Sequence, residues 1–168
     1  PNTVNKIDNQ AFGHNNLSSV IIPESVREIG WLAFSDNNLQ AVSLPSGLER
    51  IEAGVFSYNQ ITDIVIPDSV NFMGTDAFRG NNINDITLSN SLMLISRDAF
   101  TANDITNLTI PNSVISIDDR AFSQNPIENV TFLGDRPEIG IDVFASSTEV
   151  RFCNNTDGWP GEPISLAT

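Results

Sequence analysis

Apolar and polar positions along this chain repeat over a long period. Aliphatic residues open six successive units at Leu17, Leu39, Ile61, Ile83, Ile105 and Ile127, each 22 residues after the last. Three positions on stands a second apolar residue: Val20, Val42, Ile64, Ile86, Leu108 and Val130. Two further stands a third: Ile22, Leu44, Ile66, Leu88, Ile110 and Phe132. The last pair has the period-2 spacing of a strand with one face buried, and predicts one short strand per unit. Proline follows in four units, at Pro23, Pro45, Pro67 and Pro111, with Ser89 and Leu133 in its place in two others. Proline has no N–H to give a ladder, so it marks the end of the strand and a corner.

A second apolar pair comes next at three-residue spacing: Val26 with Ile29, Leu48 with Ile51, Val70 with Met73, Leu92 with Ile95, and Val114 with Ile117. A small residue and a phenylalanine close the unit. That pair, flanked by polar residues, predicts a tight turn or a single turn of 3₁₀ helix. A strand and two corners leave no room in 22 residues for a long helix, so few or no full α-helices are expected.

Two ladders keep this period without slipping. Phe34, Phe56, Phe78, Phe100 and Phe122 form one, extended by Phe12 and Phe144. Asn37, Asn59, Asn81, Asn103 and Asn125 form the other, extended by Asn15. A fixed period of this length is the signature of stacked repeats. The expectation is a solenoid in which each coil buries its apolar face against its neighbours. Stacked phenylalanines would make an aromatic spine. The asparagines would serve backbone groups left without partners at the corners, since a side-chain amide both donates and accepts. Residues 1–145 read as six to seven such coils, with the N-terminus cut within an array. The period fails after Phe132, and residues 146–168, with Cys153 and Trp159, read as an irregular cap.

The unit, with its I-P-x-S-V corner, its A-F pair and its asparagine recurring in phase, resembles the bacterial leucine-rich repeat of the BspA-like, or Treponema-type, variety. The resemblance runs from Pro1 to about Phe152. It implies a solenoid with a short parallel strand in each coil. It also implies a non-enzymatic module, exported or attached to the cell surface, that binds other proteins, matrix components or cells.

Composition narrows the partners. Twenty-one acidic residues against eight basic ones give a formal net charge of -13. Such a surface repels phosphate backbones and makes nucleic acid an improbable ligand. No apolar run approaches the roughly 20 residues that span a bilayer, so membrane insertion is not expected. The one cysteine, Cys153, and the one histidine, His14, stand at opposite ends of the array. No Gly-rich phosphate loop, His/Cys metal set or Ser-His-Asp constellation is present, so neither a cofactor nor a catalytic or metal site is expected. Asp76, Asp98, Asp118 and Asp119 could offer oxygen ligands to calcium, but Arg97 and Arg120 are interleaved to balance them.

Two surfaces are candidate interaction sites. One is the outward strand face, with Val65, Thr87, Thr109 and Thr131 in one column and Asp63 and Asp85 beside it. The other lies between the second apolar pair. There Arg27-Glu28 and Glu49-Arg50 give way to Asn71-Phe72, Met93-Leu94 and Ile115-Ser116. Both flanking positions point inward, so Phe72, Met93, Leu94 and Ile115 are expected to form an apolar patch, and such patches mark interaction sites. The expected function is a non-catalytic extracellular or cell-surface module for adhesion, binding a protein or glycan, with weak self-association through the patch. The alternative is a structural spacer in a larger surface protein. Glycan- or ice-binding is more distant, because the threonine ladder covers only three coils.

Overall fold

The computed structural model describes residues 3–145 and 147–152. These wind into a parallel β-solenoid of about seven turns, with no helix among the described residues. Twelve short strands follow one another: β1 (Lys6–Ile7), β2 (Glu28–Ile29), β3 (Arg50–Ile51), β4 (Asp63–Val65), β5 (Phe72–Met73), β6 (Asp85–Thr87), β7 (Leu94–Ile95), β8 (Asn107–Ile110), β9 (Ser116–Ile117), β10 (Asn129–Phe132), β11 (Glu138–Ile139) and β12 (Glu149–Phe152).

They form two faces, where the sequence predicts one strand per coil. The face read from the period-2 pair carries β4 beside β6, and β8, β10 and β12 side by side. In the first two coils the segments Val20–Ile22 and Val42–Leu44 are not strand. A second face carries β3, β5, β7, β9 and β11 in one five-stranded sheet, with β1 beside β2 upstream. The physical reason lies in the register. Coils of equal length place equivalent residues side by side, so any straight segment finds its backbone partner one coil away, even when it is two residues long. Phe72 thus lies opposite Leu94, and Met73 opposite Ile95.

The final coil is shorter. Val130 pairs with Val150 and Phe132 with Phe152, a step of 20 residues in place of 22. The ladder therefore runs on through Glu149–Phe152, into the stretch read as a cap. Residues 153–168, with Cys153 and Trp159, lie outside the described residues.

Inside, aliphatic columns and the phenylalanines fill the tube. Phe34, Phe56, Phe78, Phe100 and Phe122 are fully enclosed. Successive ring centroids from Phe12 to Phe122 stand 5.3–5.5 Å apart, with planes within 18° of parallel. This is wider than the ~4.8 Å strand spacing, as offset rings require. Phe144 continues the stack at 5.9 Å and meets the edge of Phe132. Phe12, on the first coil, remains 44% exposed.

Each buried asparagine ties two coils together. Asn59 Nδ2 donates to the carbonyl of Phe56 in its own coil at 3.2 Å and to that of Phe34 in the preceding coil at 2.9 Å. Its Oδ1 accepts the N–H of Leu39 at 3.0 Å. Asn37, Asn81, Asn103 and Asn125 repeat this pattern.

The turn around each phenylalanine is built from left-handed backbone. Among the described residues, every positive φ falls two positions before or two positions after a phenylalanine of the spine. The leading positions are Gln10, Leu32, Gly54, Asp76, Asp98, Arg120 and Asp142; the trailing ones are His14, Asp36, Tyr58, Gly80, Ala102 and Gln124. Such φ values are costly for most side chains. Here they persist because the enclosed phenylalanine and the coil-to-coil hydrogen bonds over-determine the turn.

Candidate functional site

On the second face the inward column is closed: Ile29, Ile51, Met73, Ile95 and Ile117 are buried. The two columns before it meet solvent, except at buried Pro137, which ends the second. One reads Lys6, Glu28, Arg50, Phe72, Leu94, Ser116 and Glu138; the other reads Arg27, Glu49, Asn71, Met93, Ile115 and Pro137. Both are polar at the N-terminal end and turn apolar midway along the array. Phe72 and Leu94 lie directly opposite each other and are half-buried. Met93 and Ile115 are 50% and 61% exposed, and the Ile115 N–H donates to the Met93 carbonyl. The four therefore adjoin one another across three coils, with Met93 and Ile115 the more open pair. The Arg50 guanidinium sits 3.9 Å above the Phe72 ring and closes the patch on its upstream side. A cation held this way covers part of the ring without removing it from the surface.

The strand face is more polar. Asp63 lies opposite Asp85, and Val65 opposite Thr87. Thr109 lies opposite Thr131. Val65 is 65% exposed, and Asp63, Asp85, Thr87 and Thr109 are also open to solvent, while Thr131 is half-buried. Asn129 Nδ2 donates to Asn107 Oδ1 at 3.0 Å, so part of this column is bonded within itself.

The acidic residues near the spine are not stacked free of partners. Asp98 is buried, and Arg120 of the next coil takes both its oxygens. Those hydrogen bonds hold the Asp98 carboxyl below the usual carboxylate range, against the opposing effect of burial. The same contact raises the Arg120 guanidinium, and the Asp76 bond raises that of Arg79. Glu24 is likewise lowered, first by the Ser46 backbone N–H it accepts. No cluster of three or more His, Cys, Asp or Glu side chains arranged for a metal ion occurs among the described residues.

Two grooves open at one corner, between the second face and the phenylalanine turn. Toward the C-terminal end, Thr75, Arg97, Ser116, Asp118, Asp119 and Glu138 line a space of about 510 Å³. Toward the N-terminal end, a space of about 430 Å³ is lined by Lys6, Arg27, Glu28, Glu49, Arg50 and Glu52 together with Asn9, Gly30 and Trp31. Trp31 is 44% exposed. Trp31 has no counterpart among the repeating letters of the sequence. The signal was the interruption itself, since Trp31 occupies a column otherwise filled by Asn9, Ala53, Thr75, Arg97, Asp119 and Ile141.

The architecture has known counterparts. The profile of the BspA-type leucine-rich repeat region matches residues 1–104 and 74–157, in six copies. No curated protein matches the chain. Among solved structures, a leucine-rich repeat protein from Bacteroides ovatus is similar with a TM-score of 0.69 at 20% identity, over 92% of this chain and 48% of its own. The pneumococcal vaccine antigen PcpA is similar with a TM-score of 0.59 at 19% identity, over 98% of this chain and 52% of its own. A leucine-rich cell surface protein from Faecalibacterium prausnitzii gives 0.58 at 19% identity, over 94% and 53%. The chain thus spans about half the length of each, and at these identities the likeness is one of fold.

Proposed function

The chain belongs to the BspA-type leucine-rich repeat family, and from that premise we propose that it is a non-catalytic binding module of a surface protein, docking a protein partner. The observation that carries this reading is the interruption of a polar column by Phe72 opposite Leu94, with Met93 and Ile115 beside them. Leucine-rich repeats are widely used as interaction modules, and two of the similar structures are a vaccine antigen and a cell surface protein. Contiguous exposed apolar surface is scarce on monomeric proteins outside interaction sites. The partner fitting this surface has an apolar centre, and the chain's 13 excess negative charges draw partners of basic character at long range. Asp63, Asp85, Val65, Thr87, Thr109 and Thr131 on the strand face are the secondary candidate contact surface. Extracellular or cell-surface localisation is part of the same proposal.

The test is a double substitution, Phe72→Ser with Leu94→Ser, assayed by sedimentation for self-association and by binding to an array of purified matrix proteins. Both side chains are half-buried on the outer side of the tube, so the fold is retained, checked by an unchanged circular dichroism spectrum. Loss of a binding or self-association signal supports the docking role. An unchanged profile, or a strict monomer binding nothing in its native form, would leave the spacer role as the better reading.

A further inference from the structure

The groove at Trp31 has a composition unlike the rest of the surface. The chain as a whole holds 21 acidic residues against eight basic ones. In this groove three carboxylates, Glu28, Glu49 and Glu52, face three cations, Lys6, Arg27 and Arg50. The lining of the groove is therefore balanced in charge within an acidic molecule, with Asp8 just outside it, 3.8 Å from Lys6. Five of these six charged groups already have partners before any ligand arrives. Lys6 Nζ stands 3.3 Å from Glu28, and Arg50 Nε donates to Glu52 at 2.9 Å. Arg27 Nη1 donates to the carbonyls of Glu24 and Val26, and the Arg50 guanidinium also rests on Phe72.

We propose that this groove is a saccharide subsite, in which a pyranose ring stacks on Trp31 and its hydroxyls bridge the paired carboxylates and cations. The charge balance selects the ligand class. An anion meets three carboxylates, and a cation meets three basic groups, so either is opposed by half the wall. A neutral polyhydroxylated ring offers donors to the carboxylates and acceptors to Lys6, Arg27 and Arg50 together. Charge-assisted bonds of this kind are stronger than neutral ones. An exposed indole adds the apolar face that a sugar's C–H side requires, with little conformational entropy to lose. A space of about 430 Å³ falls within the range of small-molecule sites. Gly30 lets the coil of Trp31 approach the preceding coil closely, since a Cβ there would lie 2.4 Å from Asn9 Oδ1 and 2.5 Å from the Asn9 nitrogen. The subsite is separate from the apolar patch in the ligand it takes, and neither reading rests on the other.

The test uses the full chain carrying Trp159→Phe, so that Trp31 is the one fluorescent indole. Cellotetraose, chitotetraose and galactotetraose are titrated as free ligands, and ribonuclease B is compared with unglycosylated ribonuclease A to probe a protein-linked glycan. We expect saturable quenching by at least one free oligosaccharide, with a dissociation constant of ~0.1–1 mM, or a response to ribonuclease B and not to ribonuclease A. By calorimetry, Trp31→Ala should weaken that binding at least ~10-fold. This substitution keeps the fold, because Ala53 is the native residue at the same position one coil on. Glu52→Gln, which leaves the indole in place, should weaken it several-fold. Absence of binding across all these probes, or binding that survives Trp31→Ala, overturns the assignment whatever becomes of the protein-docking role.

Discussion

Arg120 grips Asp98 across one coil step by two parallel bonds, Nε to Oδ1 at 3.0 Å and Nη2 to Oδ2 at 2.8 Å. Both residues have left-handed backbones, and both occupy the same position in successive coils. The carboxylate is buried while the guanidinium is about half exposed. The Thr101 hydroxyl stands between the Arg120 carbonyl, at 2.5 Å, and Asp98 Oδ1, at 3.2 Å, with one proton to donate to either.

That pair predicts a pH dependence with a definite sign. The folded state holds the Asp98 carboxyl below its ordinary value. Its contribution is then complete above the unfolded pKa of ~3.9 and is lost as pH falls through the lower folded value. Asp98→Asn should cost about 1–2 kcal/mol at pH 7, at the low end because Arg120 regains water readily. Thermal melts of both proteins at pH 7, 4 and 3 provide the check. The gap between them should be widest at pH 7 and narrow below pH 4. A gap that stays constant with pH would show that Asp98 acts through packing alone.

The asparagine ladder predicts a large effect from a small deletion. Asn81 Nδ2 donates to the carbonyls of Phe56 and Phe78, at 2.9 and 3.0 Å, and Oδ1 accepts the Ile61 N–H at 3.1 Å. Asn81→Ala leaves the Ile61 N–H unpaired in a buried place, where an orphan costs about 1–3 kcal/mol, while the Phe56 and Phe78 carbonyls each lose one donor and keep another, from Asn59 and Asn103. A net loss of about 2 kcal/mol is expected in urea titration. Asn15→Ala should change little, because Asn15 is exposed and bonds only the carbonyls of its own coil, Phe12 and Gly13. Equal losses at the two positions would mean that the ladder serves something other than coil-to-coil pairing.

Much of this fold was readable from its letters. The columns of isoleucine, phenylalanine and asparagine each answer to one physical need, and a 22-residue step aligns them. The second sheet was harder to see. Its strands are two residues long, and Glu28–Ile29 or Arg50–Ile51 carries no alternation long enough to announce a strand. Those strands arise from register between coils, which a single unit does not display. The left-handed positions were hidden for another reason. Glycine occupies only Gly54 and Gly80 among them, while Leu32, Tyr58 and Arg120 hold the same backbone without the residue type that favours it. The surfaces were legible only as departures. Phe72, Met93, Leu94 and Ile115 stood out because apolar letters interrupt two adjacent polar columns. Trp31 was a single substitution, and it defines a groove only once Gly30 and the paired charges of Glu28, Lys6, Arg50 and Glu52 are set around it.

The left-handed turns predict that one chemical change will have opposite effects three residues apart. Ala102 sits at the trailing position with φ of 58°, a conformation in which its Cβ is strained. Gly80 is the native residue at that position one coil earlier, with φ of 67°. Ala102→Gly relieves about 1–2 kcal/mol of left-handed strain and gives back about 0.5–1 kcal/mol in chain entropy. A net stabilisation of up to ~1 kcal/mol is expected. Ala99 lies just before Phe100 in ordinary backbone and is fully enclosed. Ala99→Gly loses the same entropy and also one buried methyl of about 0.8 kcal/mol, so it should destabilise by about 1–2 kcal/mol. Urea titrations of the two variants against the native chain decide the matter, since both exchange alanine for glycine in the same coil. If Ala102→Gly also destabilises, the turn draws no strain from its left-handed backbone, and the packing around Phe100 alone would account for its shape.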